Sequence, residues 1–341
     1  MSEFIAPRPD EWNGEPRPLF LAPMAGVTDL PFRLLARECG ADFTITEFTN
    51  STALSREAAV SWRRMETCDA ESPFIPQIFG GVSEDMARAA EMLAPDADII
   101  DLNFGCPAPK VTKICAGAAL MGQPDDLVSM CETIVNRVDT PVTAKMRLGT
   151  GSGDFNAKEI CQRLEDVGIQ RLCVHGRTLR QRYSGEADWD YIAEVVQSVE
   201  TPVIANGDVV DHNTAAACLE RTHAAGLMIG RGAIGRPSVF AEMKVGLGWM
   251  AEDDLPWIKA HEGDWNELTD TGKQFATRRW CWDRYIELAK ETTGLEIKSL
   301  RGHAVSFTKG LPGAKSIRSI MHGKVTREEF AQATSDFLAT N

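Results

Sequence analysis

The sequence has 341 residues, 43% of them hydrophobic, and a formal net charge of −13 at pH 7, which predicts two domains or one large barrel and argues against general nucleic-acid binding. No apolar stretch approaches the roughly 18 residues that a membrane-spanning helix needs, and residues 1–18 are polar and proline-rich without an apolar signal core. The nine cysteines form no CxxC pair and no zinc-like spacing with histidine, so we expect a cytoplasmic protein with free thiols, no metal and no membrane contact.

Eight short apolar runs rich in β-forming residues recur along the first two thirds of the chain. They are residues 19–24, 43–48, 74–80, 98–105, 141–149, 171–178, 202–209 and 225–233. Between most of them lie stretches with helical period, such as residues 83–93 and 125–138. Eight alternations of strand and helix predict an α/β fold, a (β/α)8 TIM barrel over residues 17–247.

The pattern changes after the predicted barrel. Residues 248–270 are acidic and tryptophan-rich without a clear period, which predicts a linker or an insertion. From residue 271 helical periods dominate, at 275–292, 302–308, 314–321 and 327–338, and they predict an all-helical domain over residues 271–341. That region has a local charge of +5 against −18 for the rest. It is either an RNA-facing surface or a solvated helical face, and the charge alone favours neither.

Polar and small residues collect at the ends of the predicted strands. In strand order they are Pro23, Met24 and Ala25; Gln77; Asn103 and Cys106; Lys145 and Arg147; His175 and Arg177; Asn206, Gly207 and Asp208; and Gly230, Arg231 and Gly232. In a barrel of this class the carboxyl ends of the strands form one rim, where function lies. We therefore expect these residues to form one site.

The glycines after the seventh and eighth strands predict a phosphate site, because backbone N–H groups there can close on phosphate oxygens. Tight turns are the alternative for each loop. Lys145 at the end of a parallel strand predicts a negatively charged partner, such as the N1–C2 edge of a reduced flavin. An internal ion pair or a surface position would also explain this lysine.

Cys106 lies in a stiff turn between a glycine and a proline, directly after a predicted strand. A free thiol is mostly protonated at neutral pH, so it can act as a general acid as well as a nucleophile. Cys106 can also be a small residue packed under a loop. Cys115 lies in the same loop and is the second candidate.

Several motifs occur in the order typical of one enzyme family. They are "LAPMAGVTDLPFR", "PQIFGG", "DLNFGCPAPKV", "GAALM", "AKMRLG", "VHGRT", "PVIANGDV" and "MIGRGA". With "GHAVSFTKGLPGAKSIR" near the C-terminus, the match spans residues 19–318 and resembles the tRNA-dihydrouridine synthase family. The resemblance implies an FMN-dependent enzyme that reduces specific uridines of tRNA to 5,6-dihydrouridine with NADPH. We expect it to be a monomer.

The same resemblance implies a role for each site residue. Cys106 would be the proton donor for a uridine flipped out of its stack. Cofactor contacts would come from Pro23, Met24, Ala25, Gln77, Asn103, Lys145, His175, Asn206, Gly207, Asp208, Gly230 and Arg231. Substrate contacts are expected from Arg177, Arg301, Lys309 and Lys315.

Two other functions remain open at this point. An FMN-dependent barrel acting on a free small molecule, such as a pyrimidine, would share the phosphate loops but would not explain the basic C-terminal region. A tRNA-binding folding factor would explain that region and would make catalysis incidental. The loop at Ile114-Cys115-Ala116 departs from the small residues usual in the family.

Overall fold

Nine parallel strands form one sheet in the computed structural model, which describes residues 16–151, 155–315 and 326–339. They are β1 (Leu19–Leu21), β2 (Phe43–Thr44), β3 (Thr49–Asn50), β4 (Gln77–Phe79), β5 (Ile100–Phe104), β6 (Val142–Arg147), β7 (Leu172–His175), β8 (Val203–Asn206) and β9 (Gly226–Ile229). Every one of the eight predicted runs contains a strand, which is in most cases shorter than the run.

The second predicted strand is split in two. β2 pairs with β1 and β3 pairs with β4, so β2 and β3 are the two ends of the sheet order β2-β1-β9-β8-β7-β6-β5-β4-β3. Only residues 45–48 separate them in the chain, and the ring is therefore closed through one broken strand. The predicted (β/α)8 barrel is confirmed. In this gap the Glu47 side chain accepts the N–H of Gly26 at 2.7 Å.

Helices follow the strands in alternation. Those of the barrel are α1 (Leu30–Glu38), α2 (Ser51–Ser55), α3 (Ala59–Arg63), α4 (Ser83–Leu93), α5 (Pro109–Thr112), α6 (Pro124–Val135), α7 (Ala157–Asp166), α8 (Trp189–Val196), α9 (His212–Thr222) and α10 (Val239–Gly246). The predicted helices at 83–93 and 125–138 correspond to α4 and α6. In α4 the residues at helical spacing, Met86, Ala90 and Leu93, are buried as an amphipathic helix requires.

The segment between the barrel and the last helices is folded into short turns. Glu252–Asp254 and Trp265–Glu267 form single 3₁₀ turns on either side of α11 (Pro256–Lys259). Trp257 is buried and lies 6.0 Å from Trp280, centroid to centroid. The tryptophans therefore anchor this acidic segment, while its carboxylates stay largely exposed.

Three longer helices complete the described chain: α12 (Asp270–Glu291), α13 (Ile297–Thr308) and α14 (Arg327–Leu338). The sequence predicts α14 at the same bounds, and it predicts α13 about one turn too short. The predicted helix at 314–321 lies outside the described residues from residue 316 onward. No helix in the described ranges is long and apolar enough to cross a membrane.

A buried contact joins the barrel to the last helices at the N-terminus of α1. Asp29 caps α1 by accepting the N–H of Phe32 at 3.2 Å, and its other oxygen accepts from Tyr285 at 3.0 Å and contacts His303 Nε2 at 3.3 Å. Burial alone would raise the pKa of Asp29, but the contacts with His303 and Tyr285 hold that pKa below its usual range. The carboxylate thus stabilises the docking of α12 and α13 on α1.

We expect Asp29→Asn to lower the free energy of unfolding by about 1.5–3 kcal/mol at neutral pH, because asparagine keeps the cap but loses the charged hydrogen bonds. A lowered folded-state pKa stabilises the fold above the ordinary carboxyl pKa of about 3.9 and stops doing so as pH falls through the folded value. Urea denaturation should therefore show a difference between variant and parent that narrows on acidification. Glu38→Gln, which breaks the half-exposed pair with Arg284, is the matched control and should cost less than about 1 kcal/mol.

A difference that stays constant or widens at acidic pH would contradict this account of Asp29.

Candidate functional site

A cavity of about 990 Å³ opens at the carboxyl ends of the barrel strands. This volume lies within the range of small-molecule and cofactor sites. Its lining includes Pro23, Met24, Ala25, Asn103, Cys106, Lys145, His175, Asn206, Gly207, Asp208, Gly230 and Arg231. The structure therefore brings together every predicted catalytic and cofactor residue except Gln77.

These side chains converge because alternate residues of a strand face the inside of the barrel. Along β6, for example, Val142, Ala144 and Met146 pack in the outer core, so Thr143, Lys145 and Arg147 point inward. The lower interior is filled by a separate apolar cluster that includes Phe20 and Ile204. The polar side chains that line the cavity lie above this cluster, at the carboxyl ends of the strands.

The cavity wall is rich in buried positive charge. Lys145 is 9% exposed, its ammonium donates to Asn206 Oδ1 at 3.0 Å, and no carboxylate of the described residues forms a salt bridge with it. Burial lowers the pKa of Lys145, and it lowers the pKa of Arg147 to about 10. Burial and the neighbouring cations also hold the pKa of His175 well below its usual range, so this imidazole is neutral. The wall therefore favours an anionic ligand.

Two features of the cavity wall leave room for a ligand. His175 Nε2 is buried and has no hydrogen-bond partner among the described residues. Gly230 follows β9, and a Cβ there would meet no atom closer than Ala22 Cβ at 3.5 Å, so it would project into the free space of the cavity. Position 207 requires glycine for a different reason, since its φ is +123° and a Cβ would lie 2.7 Å from Ala187 Cβ.

The turn that carries Cys106 is held by the side chain of Asn103. Asn103 Oδ1 accepts the N–H of Gly105 at 3.1 Å and the N–H of Cys106 at 2.9 Å. Cys106 is 8% exposed, and burial raises the pKa of its thiol even though the N–H of Ala108 and nearby cations favour the thiolate. The thiol is protonated at neutral pH, which is the form that a general acid needs.

Comparisons with known proteins agree with this geometry. The family model for dihydrouridine synthase (Dus) matches residues 20–339. A probable tRNA-dihydrouridine synthase of Rhodobacter capsulatus is 43% identical over 241 residues, which are 70% of this chain and 74% of that protein. The tRNA-dihydrouridine synthase B of Escherichia coli strain K12 is 46% identical over 227 residues, which are 66% of this chain and 71% of that protein.

The chain belongs to the dihydrouridine synthase family. It is accordingly an enzyme of an oxidoreductase family.

In this dihydrouridine synthase, two residues lie elsewhere than the sequence suggests. Gln77 is fully buried below the cavity, where it bonds to Asp101 and Asn103, and does not line the wall. Arg177, expected at the substrate, is only 2% exposed and also does not line the cavity. Its guanidinium binds Asp208 at 2.6 Å through Nη2 and thereby positions a loop residue, while Nη1 has no hydrogen-bond partner among the described residues. Strand alternation places both side chains inward but does not say how deep they lie.

Among the described residues that line the cavity, Asp208 is the only acidic one, and it is shared by two arginines. Arg177 binds one carboxylate oxygen from behind, and Arg231 binds the other at 2.8 Å from the cavity side. Burial alone would raise the pKa of Asp208, but the hydrogen bonds from Arg177 and from Ala187 N–H hold it below its usual range. The carboxylate is ionised, and it orients Arg231 at the loop after β9.

The loop after β7 supplies cavity residues that the sequence analysis did not select. Tyr183 lines the mouth, is 54% exposed, and its ring lies 4.9 Å below the Arg231 guanidinium and 5.6 Å from that of Arg147. Arg147 also donates to the carbonyls of Gly105 and Arg182, both at 2.8 Å. It thereby ties the cysteine turn to this loop. The segment "RQRYSG" is the only sequence signal, an aromatic residue among arginines.

The other predicted residues lie outside the cavity. Cys115 is exposed and absent from the lining, with a φ of +51°. Arg301, Lys309 and Lys315 are exposed on and beyond α13, as a nucleic-acid surface requires. Glu287 and Glu291 of α12 both pair with Arg284, and among the described residues Arg301, Lys309 and Lys315 form no salt bridge.

We expect Arg177 and Arg231, which bind the same carboxylate, to differ in their contribution to stability. Arg177→Met leaves Asp208 without its buried partner and should lower the free energy of unfolding by about 3 kcal/mol or more. Arg231 is 49% exposed, and Arg231→Met should change that free energy by less than about 1 kcal/mol. Urea denaturation of both variants tests this. Equal losses would show that burial does not separate the two pairs.

Proposed function

We propose that this enzyme reduces specific uridines of tRNA to 5,6-dihydrouridine, with FMN as bound flavin, NADPH as reductant and Cys106 as proton donor. The observation that carries the proposal is a protonated thiol held in a fixed turn at the wall of a cationic cavity, in a member of the dihydrouridine synthase family. The relatives named above are tRNA-dihydrouridine synthases, which supports tRNA as substrate. We expect a monomer that acts in the cytoplasm.

The residues present fit FMN. Lys145 would face the electron-rich edge of the ring, because its buried ammonium has an amide oxygen as partner but no carboxylate. His175 Nε2 is an unpartnered polar atom that a bound ligand can satisfy. The turn at Gly207 and the open position at Gly230 leave room for a phosphate beside Arg231. Pro23, Met24 and Ala25 also line the cavity, with the Met24 sulfur beside the Gly230 position.

FMN, once bound and reduced by NADPH, would supply a hydride to carbon 6 of the uracil ring. The enzyme's own task is then to protonate carbon 5, which becomes enolate-like. Cys106 is suited to this step, since burial keeps its thiol protonated until carbon 5 of the enolate-like ring can accept the proton. After transfer, the N–H of Ala108 and the charges of Arg147 and Lys145 stabilise the thiolate. The site thus stabilises Cys106 both as the protonated thiol before the transfer and as the thiolate after it.

The uridine must leave its stack to reach a cavity at the mouth of a barrel. Tyr183 and the guanidinium of Arg147 lie where an extruded nucleotide would enter. We propose that the helical region from residue 271 binds the body of the tRNA through Arg301, Lys309 and Lys315. Their exposure, in the basic part of an acidic chain, supports this surface.

The first test is Cys106→Ala. We expect the variant to retain FMN and to be reduced by NADPH at the parent rate, because the thiol acts only after hydride transfer. Formation of dihydrouridine in tRNA should fall about 10²–10⁴-fold, the usual contribution of a general acid. Flavin absorbance, NADPH oxidation and mass spectrometry of tRNA nucleosides measure the three steps separately.

Cys115→Ala, in the same loop but outside the cavity, is the matched control and should keep near-parental activity. A larger loss in Cys115→Ala than in Cys106→Ala would move the acid to Cys115. A parent protein that binds no FMN would refute the proposal, and equal turnover of free uridine and tRNA would favour a small-molecule substrate.

The second test concerns the RNA surface. Lys309→Glu with Lys315→Glu should weaken tRNA binding and flatten its salt dependence, since each phosphate contact contributes about 0.7–0.9 log units of affinity per tenfold change in salt. FMN content should not change. Binding is measured by filter retention at several salt concentrations.

Lys158→Glu with Arg163→Glu on α7 changes the net charge equally and serves as the control. Both residues already form surface salt bridges on the outside of the barrel. If the two double variants had the same salt slope, the charge of α13 and its C-terminal turn would not be an RNA surface.

A further inference from the structure

A chain of hydrogen bonds runs from the barrel interior to the turn of Cys106. Gln77 Nε2 donates to Asp101 Oδ2 at 2.6 Å, and Asn103 Nδ2 donates to Gln77 Oε1 at 2.7 Å. Asn103 Oδ1 then accepts the N–H of Cys106 at 2.9 Å. Asp101, Gln77 and Asn103 are each at most 5% exposed, so water does not substitute for these bonds.

The direction of this chain is fixed at one end. A carboxylate only accepts, and both oxygens of Asp101 are occupied, one by Gln77 and one by the hydroxyl of Thr143. Gln77 must therefore turn its NH₂ toward Asp101 and its oxygen toward Asn103. Asn103 must in turn present its NH₂ to Gln77. Only then does its oxygen face the Cys106 turn.

We infer that Asp101 is a positioning residue for the proton donor, and that it acts through the orientation of the two amides Gln77 and Asn103. An amide can rotate by 180° with little change of shape, which exchanges its donor and its acceptor. If Asn103 were reversed, its NH₂ would meet the N–H of Cys106, donor against donor, and the turn would lose its anchor. The buried carboxylate excludes this state.

The catalytic consequence rests on the proposed function, but the orientation of the turn can be measured without it. Asp101→Asn removes the acceptor-only group and allows the chain to reverse. Gln77→Glu places a second carboxylate beside the first. In the double variant Asp101→Asn with Gln77→Glu, the carboxylate is moved one position along the chain. Residue 77 then accepts from both neighbours, and Asn103 regains its orientation.

The experiment compares the two single variants, the double variant and Thr143→Val as full-length flavin-bound enzymes. We expect kcat for dihydrouridine formation to fall about 10- to 100-fold in each single variant, as for misplacement of a reacting group. In Asp101→Asn the cause is reversal of Asn103, and in Gln77→Glu it is repulsion between two adjacent buried carboxylates, which displaces the chain. KM for tRNA should stay near the parent value, and the double variant should recover most of the loss. Thr143→Val removes the side bonds to Asp101 and from Arg171 but leaves the amide chain in place, and it should keep parental kcat.

The second readout is the rate at which iodoacetamide alkylates Cys106, followed across pH by peptide mass spectrometry. The dependence of the Cys106 alkylation rate on pH should shift in the single variants and should return to the parent profile in the double variant. Cys115, exposed in the same loop, is the internal reference and should not change. If the parent made no dihydrouridine, the proposed function would fail, and alkylation would still report on the hydrogen-bond chain.

Two results would overturn the inference. One is a double variant as impaired as the worse single variant in both readouts, because moving the carboxylate would then restore nothing. The other is a pair of single variants with parental kcat and parental alkylation. If Asp101→Asn alone did not fold, Gln77→Glu would be compared with the double variant. Adding Asp101→Asn to Gln77→Glu must then raise kcat if the inference is correct.

Discussion

Lys145, Arg147 and Arg231 surround the cavity, and Asp208 is the only carboxylate among its lining residues. Buried cations are costly unless an anion or a set of acceptors compensates them. Here the compensation comes mostly from neutral oxygens: an amide for Lys145 and main-chain carbonyls for Arg147. This arrangement explains why the loops after β5 and β7 close over the same arginine. It also leaves the site with an unmet requirement for negative charge, which a phosphate or an electron-rich ring satisfies.

Much of this site follows from strand alternation. Once the runs ending at Lys145, His175 and Asn206 are taken as parallel strands of one barrel, their side chains must meet at one rim. The gap between β2 and β3 does not follow, because the apolar pattern of residues 43–48 does not mark where pairing changes from β1 to β4. Strand alternation also does not say how deeply each inward side chain lies in the barrel or which residue it bonds to.

Gln77 and Arg177 show the limit of sequence reasoning about depth. Each is buried and hydrogen-bonded to a carboxylate, Asp101 in one case and the partly exposed Asp208 in the other, and neither lines the cavity. Periodicity gives the side of the sheet to which a residue points, whereas the depth of its side chain depends on its tertiary partners. Tyr183 was missed for the opposite reason, since a loop residue has no periodicity and its position follows from the anchoring of its loop by Arg147.

The split strand also determines how the barrel can deform. β5 and β6 are joined along five paired residues, whereas β1–β2 and β3–β4 share two pairs each. The β4–β5 joint also shares only two pairs, so the ring is most sparsely paired along a seam that runs from β1 through residues 45–48 to β5, and Phe48 in this seam is part of the cavity wall. A bulky guest that widens the mouth meets least resistance along this seam. The barrel thus has a preferred direction of opening, although its topology is that of a closed ring.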